Sequence, residues 1–190
     1  MRCGVVVVAY AGRVIAVVGD LLERPPLGGL AVEIAARIAR RGAVVQAVGV
    51  LTVDAAGDRR MIDLAGMGIG HAAVLRSPAV ALEPADLELA LRYLPDLGAL
   101  VLVGLPGLAA TAAAGAAFAV APLVIVAAGE PVRDALPDDA LVLGAPADDP
   151  DGAFAGLVAE LAARLDAGAA PAAAWGDTLR ALVIEGRRAR

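Results

Sequence analysis

Lysine is absent: all 16 basic residues are arginine. Cysteine occurs once, at Cys3, histidine once, at His71, and aromatic side chains make up 3% of the 190 residues. A single cysteine excludes an internal disulfide and points to a reducing compartment such as the cytoplasm. His71 stands alone beside an apolar run and reads as a satisfied buried or edge side chain. No histidine metal cluster and no Ser-His-Asp arrangement is read around it, and no metal site is predicted. With so few aromatics, a chain that is 59% hydrophobic must build its core from Ala, Val and Leu. Trp175 and Phe118 are expected at the core or at an interface. A net charge of −5 offers no broad basic footprint, so nucleic acid is excluded as a partner. The terminal GRRAR reads as a solvated end.

Two apolar stretches resemble membrane segments at first sight. The run from Gly4 to Val18 is broken by Gly12 and Arg13 and has no cleavage pattern, so it is not read as a signal peptide. The run from Leu97 to Gly129 holds no charged residue and is long enough to span a bilayer. Gly98, Gly104, Pro106, Gly107 and Pro122 cut it into a strand, an alanine-rich helix and a second strand. That is the order of a parallel α/β sheet, so no membrane partner is expected.

What is present is organised around Gly28–Val74. A glycine pair opens a helix in which Ala31, Ile34, Ala35, Ile38 and Ala39 form an apolar face. Arg37, Arg40 and Arg41 load its carbonyl end, and Gly42 stops it. The run AVVQAVGV follows as a strand covered on both faces. A turn with Asp54 and Gly57, a helix over Asp58–Gly66 and a strand around His71–Leu75 come next. Upstream, strands are expected at Val5–Tyr10 and Val14–Val18, joined to the glycine pair by a loop that Pro25-Pro26 keeps extended. Downstream, helices are expected at Pro84–Leu94, Asp149–Ala167 and Pro171–Glu185, with a short strand at Ala140–Leu143. Residues 1–190 read as one domain, without repeats or a dividing linker.

The spacing of Gly28-Gly29, Gly42, Gly49, Asp54, Gly57, Leu64, Gly68 and Ile69 resembles the front half of the ribokinase/PfkB family of carbohydrate kinases. Thr52 stands where the family has a further glycine. Near the end, Asp149-Pro150-Asp151-Gly152-Ala153-Phe154-Ala155-Gly156 resembles the family's G-A-G-D-x-F-x-G signature at a helix start. The resemblance implies a ribokinase-like α/β fold: a mainly parallel sheet between two helical layers. It also implies a sugar or nucleoside ligand, with Gly28, Gly29, Glu33 and Asp54 on the substrate side. Asp151 is the implied catalytic base, and the backbone of Gly152 and Ala153 the implied phosphate cradle. An active member would use ATP and magnesium.

The departures matter as much. An ungapped match puts Gly152 at the base position, so a one-residue slip is needed to restore Asp151. Pro150 removes a backbone donor from the cradle, and Asp148, Asp149 and Asp151 bring carboxylates to where phosphate oxygens belong. A helix cap is the simpler role for Asp149 or Asp151. No acid lies between Met1 and Gly19, and Glu33 replaces the family's sugar-binding asparagine. Ser77–Leu82 leaves no room for the family's lid strands, and the adenine segment between Val126 and Asp148 is short. The expectation is a family-like protein that no longer phosphorylates and serves as a small-ligand-binding or assembly protein. Two alternatives stay open: an active sugar or nucleoside kinase, and a homo-oligomeric structural protein, most simply a dimer.

Overall fold

The computed structural model describes residues 13–22, 27, 29–78, 81–94, 96–128 and 136–188. The strand expected at Val5–Tyr10, Pro25-Pro26 and Gly28 lie outside the described residues. Among the described residues are six strands and six helices, which alternate as far as β5. In chain order they are β1 (Val14–Val18), α1 (Leu30–Arg40), β2 (Val44–Leu51), α2 (Ala55–Gly66), β3 (Gly70–Arg76) and α3 (Pro84–Arg92). Then come β4 (Leu97–Val103), a 3-10 turn at Pro106–Leu108, α4 (Ala109–Ala119), β5 (Leu123–Ala127), β6 (Leu141–Gly144), α5 (Ala153–Asp166) and α6 (Pro171–Arg188).

The strands form one wholly parallel sheet in the order β3-β2-β1-β4-β5-β6. β1 and β4 are the two middle strands, and every residue in both is buried. Their unbroken Val, Ile, Leu and Ala runs suit strands covered on two faces. Alternation then divides the core in two. Ile15, Val17, Ala99 and Val101 pack with α1 and α5 on one face, joined by Leu64 of α2 and Ala174 of α6. Ala16, Val18, Leu100 and Leu102 pack with α3 and α4 on the other. The expected three-layer arrangement is present, and no strand lies between β3 and α3 among the described residues.

The boundaries that shifted have local causes. α2 starts three residues before the expected Asp58, because Asp54 caps it: its carboxylate accepts from Gly57 N at 2.9 Å. α5 starts at Ala153 rather than Asp149, because Asp149 acts on that helix from outside it. α3 ends at Arg92, two residues short. Among the described residues no helix is long and apolar enough to cross a membrane. Phe118 is 87% exposed, so it is not a core residue. Trp175 is partly buried against the α1–α5 core, and His71 sits half-buried on edge strand β3 with Nδ1 3.4 Å from Ile69 O.

The sheet winds outward in both directions from the β1–β4 pair. The strand order therefore reverses there, which opens a crevice at the carboxyl ends of the strands. The amino ends of α1, α2, α4 and α5 gather along the same edge. At the end of β1 α1 comes close: a Cβ on Gly19 would lie 2.6 Å from the Ala31 Cβ.

Candidate ligand site at the carboxyl edge of the sheet

A cavity of about 640 Å³ opens at this edge. α1 contributes Gly29, Leu30, Glu33 and Arg37, α2 contributes Arg60, and the segment Pro146–Gly152 closes the side next to α5. The structure thus brings together four of the sequence-predicted site residues: Gly29, Glu33, Asp151 and Gly152. Asp54 and Ala153 do not line it.

Gly29 is the N-cap of α1, with φ 79°, a left-handed conformation that glycine adopts without strain. Glu33 faces two arginines of its own helix, with Oε1 2.8 Å from Arg37 Nε and 3.3 Å from Arg40 Nη2. Arg37 then reaches across to α5, where its Nη2 donates to the backbone carbonyl of Asp151 at 3.2 Å. This contact explains Gly152. Its φ is +66°, and a Cβ there would lie 1.8 Å from Arg37 Nη2, so the guanidinium needs a residue without a side chain beneath it. Asp151 itself is exposed.

The amino end of α5 is already filled. Asp149 Oδ1 accepts from Phe154 N at 3.0 Å, and Oδ2 from Ala155 N at 2.9 Å. Gly152 N donates back to Asp149 O at 2.9 Å, closing a tight turn. A helix amino end is a place for an anion because its N–H groups are unpaired and its dipole is positive. Here both carboxylate oxygens of one side chain occupy it. Pro150 cannot donate at all.

Asp54 is likewise committed to local structure. Besides capping α2, it accepts from Thr52 Oγ1 at 2.7 Å. The Thr52 hydroxyl, with Gly57 N–H second, holds its carboxyl below the usual carboxylate range. Thr52, found where the resemblance expects glycine, thus has a structural partner.

Asp20 was missed by sequence reasoning. With the first strand placed at Val5–Tyr10, no acid followed it. Among the described residues β1 is Val14–Val18, the second of the two strands expected upstream, and Asp20 stands two residues beyond its carboxyl end, half-buried, with Oδ1 accepting from Leu22 N at 2.8 Å. The signal was present as the string VVGD, a buried strand running into a glycine and an acid.

Neither a protein-family model nor a curated protein matches this sequence. Solved structures do. A PfkB protein from a Polaromonas species is similar at 15% identity, over 90% of this chain and 96% of that one, with a TM-score of 0.57. The fold is ribokinase-like. A 2-dehydro-3-deoxygluconokinase from Thermotoga maritima is similar at 14% identity over 61% of this chain and 51% of its own, TM-score 0.50. A fructokinase with bound ATP from Xylella fastidiosa is similar at 15% identity over 78% of this chain and 55% of its own, TM-score 0.45. Apart from the Polaromonas protein, the chain spans about half the length of these structures.

Proposed function

We propose that this chain is a ribokinase-like protein that binds a small hydroxylated molecule, a sugar or nucleoside, and transfers no phosphoryl group to it. The supporting observation is the Asp149 carboxylate on the N–H groups of Phe154 and Ala155. In a phosphoryl-transfer site of this kind, such donors meet charge developing on the phosphate. With an aspartate already there, an approaching phosphate finds its donors taken and a negative charge in its place. The γ-phosphate of ATP therefore does not fit the α5 end, and Arg37 is occupied by Glu33 and the Asp151 carbonyl.

The cavity between α1 and α5 suits a neutral ligand better. Its size falls in the usual range for small-molecule sites, roughly 300–1000 Å³. Glu33 and Asp151 on its wall are acceptors for hydroxyl donors, and Gly29 admits close backbone approach. A panel of sugars and nucleosides tested by thermal shift and by coupled ADP assay with ATP–magnesium separates the readings. The expected result is a raised melting temperature with at least one member of the panel and no ADP formation. ADP release that depends on the sugar and disappears in Asp151→Asn would establish an active kinase using ATP and magnesium instead.

A further inference from the structure

Aromatic side chains are scarce in this chain: two Phe, two Tyr and one Trp in 190 residues. Two of the four described ones stand largely in water, Tyr93 at 76% and Phe118 at 87% exposure. Tyr93 closes α3 and Phe118 lies in the last turn of α4, the two helices that cover the far side of the sheet from α1 and α5. Leu89 of α3 and Val120, just beyond α4, are exposed as well. Aromatic residues are enriched at protein–protein contacts, where a large rigid ring is buried at low entropic cost.

The rest of α4 also belongs under cover. Its sequence, AATAAAGAAFA, has no charged residue and Thr111 as its one polar side chain, yet Ala110, Ala114 and Ala117 are exposed. A surface helix normally carries a polar face. Beside it runs a groove of about 1330 Å³, floored by Leu91, Leu94 and Leu97 and walled by Gly115 and Phe118. That is more room than the roughly 300–1000 Å³ usual for a small-molecule site. One face therefore holds both a projecting ring and an apolar hollow. A two-fold contact needs both on the same surface, because each copy offers the other the same patch.

The charges at this groove match a second copy rather than a partner of one sign. Its charged lining residues are Arg13, Glu88, Arg92 and Asp96, two positive and two negative, on a chain whose net charge is −5. Two copies meet here without the repulsion that their net charge imposes elsewhere. We propose that a second copy of this chain docks on the α3–α4 face about a two-fold axis, with Phe118 of each copy seated in the groove of the other. Phe118 walls its own groove, so crossing α4 on α4 near the axis brings each ring over the opposite hollow. Gly115, without a side chain, lets the two helices approach closely there. The proposal stands apart from the ligand reading, whose cavity is walled by α1, α2 and the segment before α5.

Sedimentation equilibrium of the full chain over a concentration series, with no ligand added, tests this. The wild-type mass should rise with concentration from 18.9 kDa toward twice that value and no further. Phe118→Glu and Ala114→Glu, both at exposed positions, should each keep the mass of one chain and an unchanged circular dichroism spectrum. Ile62→Glu, on a comparably exposed apolar side chain of α2, should associate as the wild type does. A wild-type mass fixed at one chain throughout would overturn the proposal and leave the groove to another occupant. So would association that survives both α4 substitutions, loss of association in Ile62→Glu, or growth beyond two chains, which a closed two-fold contact forbids.

Discussion

Asp166 ends α5 with its carboxylate half-buried against Gly98, where an added Cβ would meet Oδ1 at 1.8 Å. A negative charge at the carbonyl end of a helix is unfavourable, and Oδ1 has no hydrogen-bond partner among the described residues. Burial raises its pKa above the ordinary carboxylate value, and Arg13 only partly opposes this. The sign of the linkage follows. In the interval between the ordinary value and the raised one, the folded chain holds the proton more tightly than the unfolded chain. This group's contribution therefore favours folding at lower pH and falls as pH rises through that interval. Denaturant unfolding across this range should show that fall in the wild type and lose it in Asp166→Asn, which should be at least as stable at neutral pH. Parallel pH profiles for the two proteins would contradict the assignment. Asp54 is the opposite case: with its pKa lowered in the folded chain, its contribution is fully present above the ordinary value and is lost as pH falls below it.

At the scale of the element, α5 carries most of the functional argument, and its amino end was only partly legible in sequence. That a helix starts near Gly152, and that Asp149 or Asp151 caps it, could be read from residue types and spacing. That Asp149 alone does so with both oxygens, and that Arg37 lies over Gly152, could not. Residues 37 and 151 are 114 positions apart, and nothing in either local pattern announces their contact. Asp149→Ala should cost about 1 kcal/mol as a lost cap, lowering the melting temperature by roughly 2–4 °C in a chain of this size. It should also free two N–H groups at a positive helix end. Inorganic phosphate should therefore stabilise Asp149→Ala more than the wild type, measured by thermal shift at constant ionic strength. Equal responses would mean that the aspartate is not what keeps anions from this end.

At the scale of the molecule, the sequence foretold the fold through features that parallel sheets impose wherever they occur. Middle strands covered on both faces must be continuous apolar runs, and VIAVV and LGALVLV are such runs. α1 is amphipathic because it packs on one side only, which its i, i+3, i+4 pattern displays. α4 hid its surroundings for the same physical reason: an alanine-rich helix has no apolar stripe to say which side faces inward. The sequence therefore could not choose between core and surface for Phe118, which is exposed. The two sides of the sheet differ in character, with a polar cavity at the α1–α5 edge and an apolar groove lined by α3 and α4. The likeness to solved structures carries the architecture alone, and the proposed separation from phosphoryl transfer rests on the filled amino end of α5.

The most direct test of that separation is calorimetric titration of the full chain with ATP–magnesium, alone and with each sugar or nucleoside that stabilises the protein. The account predicts saturable heat for such a ligand and none for the nucleotide in either setting. Saturable one-site binding of ATP–magnesium that strengthens when the ligand is present would contradict it.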